Sequence, residues 1–269
     1  MTLQKFVFKP GVDRENTRYT SEGGWYECDK IRFRSGMPEK IGGWNRISTN
    51  SFLGIARSLF SWVTLGSQKL LGIGTHLKFY IEQGGVYYDI TPLRATVSLT
   101  DPFTTVSGST TVTVTDAAGG YINNDFVTFS GASAVGGLTL NGEFQITYLT
   151  GNTYTITASE AASSSATGGG SVSAAYQINT GPSVAEALVG WGAGGWSLGT
   201  WSVGVTSTDA LRLWTQSNFG EDLIFAARGG SLFFWDATDA LTTRGVLLSS
   251  ETGASNVPVK VNTLLVSDN

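Results

Sequence analysis

The strongest constraint in this sequence is a period of two. Stretches such as "TTVTVT" (110–115), "DFVTFS" (125–130) and "TYTITA" (153–158) alternate β-branched or aromatic residues with polar ones, between clusters of Gly, Asn and Asp. Successive side chains of an extended strand point to opposite faces, so this pattern predicts half-buried strands joined by tight turns. Helical spacing is nearly absent. One short candidate, "SVAEALVG" (183–190), starts at a Ser able to cap and stops at Gly190. Glycine makes up 35 of 269 residues, nearly twice its usual ~7% and without collagen's three-residue period, which fits many turns. The expected fold class is all-β.

Two segments share one internal order. In 58–92 and 211–249 a first strand carries a Trp (Trp62, Trp214) and a second is built of small apolar residues (Leu70–Gly74, Leu223–Ala227). An aromatic third strand (Leu77–Ile81, Leu232–Trp235) and a short fourth follow. That order suits β-propeller blades, in which the small second strand would lie at the crowded axis. "VNTLLVSDN" at the C-terminus reads as one more strand of that kind, 41 residues after its counterpart. Between the two segments the composition turns to Thr, Ser and Gly, which predicts an inserted small β domain that projects from a blade edge and is separable from it. Within it "SSSATGGG" (163–170) reads as a flexible loop. The expected organisation is an extended or hairpin segment at 1–50, a blade at 51–94, the insert at 95–180, a Gly/Trp-rich connector at 181–210 and further blades at 211–269.

Charge is scarce and uneven. Only 14% of residues are charged, against about 25% in an average globular protein. Residues 1–46 hold nine Lys/Arg and six Asp/Glu, and the remainder eight and fifteen. Between Arg94 and Arg212 there is no basic residue, so most of this chain should repel a polyanion. The single cysteine, Cys28, forbids an intrachain disulfide and reads as a structural thiol. The start, "MTLQKFVFKP", lacks a signal peptide's apolar run, and no stretch approaches the ~18 apolar residues of a membrane span. A protein made in a cytoplasm, with no membrane-spanning segment, is expected.

Catalytic signatures are weak. His76 is the only histidine and reads as a solvated turn residue. "GWGAGG" (190–195) matches a dinucleotide-binding spacing, but neither a following helix nor a βαβ unit accompanies it. No cofactor or metal site is expected. A carboxylate glycosidase would need pairs such as Glu221 with Asp222 or Asp236 with Asp239; with no neighbour to raise a pKa, these read as solvated turn carboxylates. No enzyme is expected.

Two features suit interfaces. Trp191, Trp196 and Trp201 recur every five residues in "GWGAGGWSLGTW", a spacing that fits neither a helix face nor a strand face. Such a ribbon could stack on sugar rings or pack against a neighbouring subunit, and the second is favoured because aromatic residues are enriched at interface cores. In "DKIRFRSGMPEK" (29–40), Ile31 and Phe33 alternate with Lys30, Arg32 and Arg34, so a strand would carry the apolar pair on one face and the basic trio on the other. A nucleic-acid grip, an interface with an acidic partner and a lumen-facing position all remain open for that trio.

Taken in order, "FKPGVDRENTRYTSEGGWYECDKIRFRSGMPEKIGGW" (8–44, with Phe6 and Val7 before it), the blade-like "LLGIGTHLKFYIEQGGVYYDITP", the Thr-rich insert and "GWGAGGWSLGTW" resemble the tail nozzle (tail tube) proteins of short-tailed bacteriophages. The resemblance implies a propeller-based structural subunit of the virion tail, assembled as a homohexameric ring. Its partners would be the tail adaptor and tail fibres, and the ring would form the distal conduit for DNA ejection without specific DNA binding. The other class of function to weigh is a carbohydrate-binding module for host-surface glycans. The chain departs from the pattern in size. Setting aside the leading and inserted segments leaves about half of the 269 residues, enough for about three blades where propellers have four to eight, so a propeller that stops mid-fold is expected.

Overall fold

The computed structural model describes residues 3, 5, 8–15, 17–20, 23–43, 45–46, 48–117, 119–184 and 211–267. Among these the fold is all-β, with one helical turn, a 3₁₀ turn at Leu248–Ser250. The chain divides into two units, Met1–Thr49 and Asn50–Asn269. The helix candidate at 183–190 falls almost wholly outside the described residues.

The first unit is organised by one hairpin, β1 (Ile31–Arg34) and β2 (Met37–Lys40). Ser35 and Gly36 link the strands with φ of 49° and 81°, the pair of positive values a two-residue turn needs to match strand twist. Phe33 packs its ring against Trp25, which also meets Phe8.

In the second unit, β3 (Ala56–Val63), β4 (Lys69–Thr75), β5 (Phe79–Gln83) and β6 (Val86–Asp89) form one antiparallel sheet in chain order. The insert follows as β7 (Leu93–Thr100), β8 (Phe103–Thr105), β9 (Thr111–Thr115), β10 (Phe126–Ser130), β11 (Gly142–Gln145), β12 (Thr147–Thr150), β13 (Thr153–Thr157), β14 (Ala166–Gly168) and β15 (Ser171–Gln177). These build two sheets, ordered β11-β10-β15-β7 and β12-β13-β9-β8-β14. The chain then returns as a second four-stranded sheet in chain order: β16 (Trp214–Phe219), β17 (Asp222–Ala227), β18 (Leu232–Trp235) and β19 (Val246–Leu247). Two four-stranded blades with a small β domain between them are therefore present.

Three apolar clusters hold this unit together. Phe103, Val112, Phe129, Tyr154 and Tyr176 fill the insert between its sheets. Trp62, Leu70, Phe79 and Ile81 of the first blade meet Trp214, Leu223, Phe225 and Trp235 of the second, with Phe79 stacked 4.3 Å from Phe225. The opposite face of the second blade, with Ile224, Ala226 and Leu232, lies under Leu248, Val257, Val261, Leu264 and Val266. Burying a side chain of this size contributes about 1.5–3 kcal/mol, so the blade-to-blade cluster is a major stabilising element.

The structure corrects three expectations. The small residues of β4 answer to the neighbouring blade rather than to an axis: β16 crosses β3 and β4, and a Cβ on Gly72 or Gly74 would collide with Gln216 or Trp214. "VNTLLVSDN" forms no strand among its described residues; Val261 makes one bridge to Gly230, and Leu264 is held through Thr215 while the segment covers the blade. "SSSATGGG" is pinned rather than loose. Its Ala166–Gly168 pairs with β8, and the Thr105 hydroxyl donates to the carbonyls of Ser164 and Ala166.

Candidate functional site

Four charged side chains meet where the two blades and the insert join. Lys78 lies in the turn before β5 with only 3% of its side chain exposed. Its Nζ donates to Asp89 Oδ2 at 2.6 Å and to Glu143 Oε1, and lies 4.5 Å from the centre of the Phe126 ring. Asp89 ends β6 of the same blade, whereas Glu143 and Phe126 belong to the insert. From the second blade Arg244 donates to the Thr91 carbonyl at 2.8 Å and reaches Asp89 Oδ1 at 3.5 Å and Glu143 Oε2 at 3.4 Å. Gln177 Nε2 donates to Glu143 Oε2 at 2.5 Å. Two cations and two anions thus compensate one another. Burial alone would push Asp89 up, but Lys78, Arg244 and Thr91 together hold it below the usual carboxylate range.

A second buried group fixes the root of the insert. Arg94, in β7, donates to the carbonyls of Gln177 and Gly119 and lies 3.6 Å from Asp125, which is fully buried. Asp125 accepts from Asn179 Nδ2 at 2.7 Å and from the amides of Thr180 and Ile122. Burial still raises its pKa, against those donors and Arg94. The insert is docked against the blades through the charged pairs of Glu143 with Lys78 and Arg244 and through the Lys78 contact with the Phe126 ring.

Three of the four acidic candidates, Glu221, Asp222 and Asp236, fall into one cleft of about 590 Å³ that Val63, Thr64, Leu65 and Phe219 also line. Asp239 does not line it. Each carboxylate accepts at least one backbone N–H: Glu221 from Leu65 at 2.9 Å, Asp222 from Ala237 at 2.9 Å and Asp236 from Thr238 at 2.7 Å. The expectation that nothing raises a pKa here is corrected. Burial pushes Asp222 up, with the charges of Asp236 and Glu221 adding to it, while the hydroxyl and amide of Thr238 pull Asp236 down.

The basic trio is only partly a strand face. Lys30 lies outside β1 with φ of 56° and pairs with Asp29 at 3.9 Å, whereas Arg32 and Arg34 lie in the strand and point to solvent. Arg32 is directly opposite Glu39 and bonds it at 3.1 Å. Trp191, Trp196, Trp201 and "GWGAGG" lie outside the described residues. His76 is more than a solvated turn residue: its Nδ1 accepts the Ile55 amide at 3.0 Å, and burial together with Arg57 lowers its pKa. Cys28 is a half-buried free thiol. Among the described residues no group of three or more His, Cys, Asp or Glu is arranged to hold a metal ion, and no helix is long and apolar enough to cross a membrane.

No protein-family model and no curated protein matches the chain. Among solved structures it is similar to the phage phi92 endosialidase at 17% identity and a TM-score of 0.28, over 78% of this chain and 32% of that one. The likeness spans about a third of that protein's length, and at this level it has no bearing on activity or fold placement.

Proposed function

We propose that this chain is a structural virion protein, a subunit of a ring-shaped tail nozzle that forms the distal conduit for DNA ejection in a short-tailed phage. The observation that supports the reading is the junction of Lys78, Asp89, Glu143 and Arg244, which ties two blades and an insert together through mutually compensated charges. Such a cluster suits a part that must keep its shape, because each member is compensated by the others and losing one leaves the buried Lys78 or its half-buried partners unpaired. The ordered sequence resemblance points the same way, and the negative balance after residue 46 suits a wall along which DNA slides without trapping. Antibodies raised against the purified chain should label intact phage particles at the tail. Particles that stay unlabelled after mild opening of the tail would contradict the reading.

A second reading rests on the cleft. Three carboxylates beside the exposed Phe219, with Asp222 and Asp236 shifted in opposite directions, suit a sugar-facing site, either a glycan-binding surface or a carboxylate hydrolase. A glycan array and a panel of chromogenic glycosides, run with the wild type and Asp222→Asn, separate these two from the structural reading. Binding or turnover lost in the variant would favour the cleft.

A further inference from the structure

Among the described residues Lys78 is the only buried cation, and its amine touches two carboxylates at once. The two are held differently. Nζ approaches Asp89 through Oδ2, at 2.6 Å, which leaves Oδ1 to other donors. Oδ1 accepts from the Thr91 hydroxyl and from the Thr91 amide at 2.9 Å, and faces Arg244 Nη1 at 3.5 Å. These donors sit where negative charge would develop if Nζ attacked Cγ, an arrangement of the oxyanion-hole kind. Glu143 is turned the other way: Gln177 and Arg244 hold its Oε2, and Oε1 faces the amine. The Phe126 ring closes the site 4.5 Å from Nζ. A nucleophile, an acyl carbon with its oxygen polarised and an acid–base group are thus assembled in one buried place.

We propose that Lys78 and Asp89 condense within the folded chain into an amide that joins Nζ to Cγ, with Glu143 moving the protons. The ionic cluster is the form in which the chain folds, and the bond is added to it. Transfer of one proton from Nζ to Glu143 frees the nitrogen lone pair without moving net charge out of the cluster. The lone pair attacks Asp89 Cγ, and the charge that develops falls on Oδ1 and its donors. Glu143 passes that proton, and then a second one from the nitrogen, to Oδ2. The Cγ–Oδ2 bond breaks, and its electron pair leaves with the oxygen as water. One ammonium and one carboxylate become one amide and one water, so no oxidant and no second reactant is needed.

The product suits the site as well as the reactants do. Glu143 still faces Arg244, so no charge is left unmatched, and the new carbonyl keeps the donors of Oδ1. The water has a way out, because the Glu143 side chain is 30% exposed. The neutral amine is scarce beside two carboxylates, which makes the step slow, but holding the reacting groups in contact offsets much of that. Lys78 precedes β5 and Asp89 ends β6, so the bond closes the open end of this hairpin just before β7 leads into the insert. A load on the insert would then bypass the hairpin's hydrogen bonds. The bond depends on this cluster alone and stands or falls independently of the nozzle reading.

The intact mass of the full purified chain, held overnight at room temperature, reads the bond as a loss of about 18 Da, one water. Digestion of the denatured chain at glutamate then locates it. Cleavage after Glu82 separates Lys78 from Asp89 along the backbone, so the two fragments stay joined only if their side chains are linked. The wild type should show both signs. Lys78→Met should show neither, and Glu143→Gln, with its folded state checked by circular dichroism, should keep the full sequence mass. A wild type at its sequence mass overturns the proposal, and so does a mass loss whose fragments part after Glu82; neither outcome depends on Lys78→Met folding. Water loss that persists in Glu143→Gln overturns the role given to Glu143.

Discussion

Trp214 occupies the space that a side chain on Gly74 would need: a Cβ there would lie 2.4 Å from the indole Cδ1, and the indole N–H donates to the next carbonyl, Thr75, at 2.6 Å. The first blade makes the reciprocal contact, with Trp62 Nε1 donating to the Glu221 carbonyl at 2.8 Å. Each blade thus locks its neighbour with the Trp of its first strand.

Gly74→Ala should therefore destabilise the protein by about 1–3 kcal/mol, the cost of overpacking against a ring that cannot give way. Gly72→Ala should cost less. Its Cβ meets the side-chain end of Gln216, which can rotate aside after giving up its 2.8 Å bond to Ser58. Urea unfolding of both variants checks the order, and equal losses would contradict the packing described.

At the junction, Lys78→Met should lower stability by about 3–5 kcal/mol, because Asp89 and Glu143 then face each other with only Arg244 between them. Glu143→Gln should cost about 1–2 kcal/mol, since the amide keeps an acceptor for Lys78 and the site is partly open to water. Denaturant midpoints of the two variants, measured side by side, give the comparison.

The blades were legible in the sequence because Trp62 and Trp214, the apolar second strands and the aromatic third strands repeat in one order. The reason for the glycines in β4 was not, since the side chains they accommodate, Gln216 for Gly72 and Trp214 for Gly74, lie about 140 residues away in sequence. Thr-rich alternation announced β9, β10 and β13, but β14 is three residues inside a Ser/Gly run and exists through its pairing with β8. "VNTLLVSDN" misled because Leu264 and Val266 recur at strand spacing, whereas the segment follows an irregular path fixed by Thr215 and Gly230. The junction was invisible. Lys78 and Asp89 are 11 residues apart, but Glu143 and Arg244 are separated by 101. The one available hint was a lysine inside the aromatic run "HLKFYI".

Asp222 gives the cleft a pH signature. Its folded pKa is raised, so its favourable contribution is present below the ordinary value near 3.8 and is lost as pH rises through the raised folded value. Asp222→Asn, never charged, keeps the acceptor for the Ala237 amide. At neutral pH the variant should be more stable than wild type by less than about 1 kcal/mol, the range of partly exposed charges, and the difference should vanish below pH 3.8. Thermal melts at two pH values are sufficient to check this.

The hairpin arginines are expected to serve a protein partner. Duplex DNA should bind the wild type no more tightly than about 10⁻⁴ M at physiological salt, and Arg32→Glu/Arg34→Glu should leave that weak affinity nearly unchanged. Micromolar binding by the wild type, abolished by the double change, would make the hairpin a nucleic-acid grip.

The measurement that bears most directly on a structural role in the tail is the absolute number of copies per purified particle, determined with isotope-labelled peptide standards. A nozzle subunit should be present in several copies, at a constant whole-number ratio to the other tail proteins, and should remain after a high-salt wash. Absence from particles, or a trace amount that varies between preparations and washes away, would contradict the structural role.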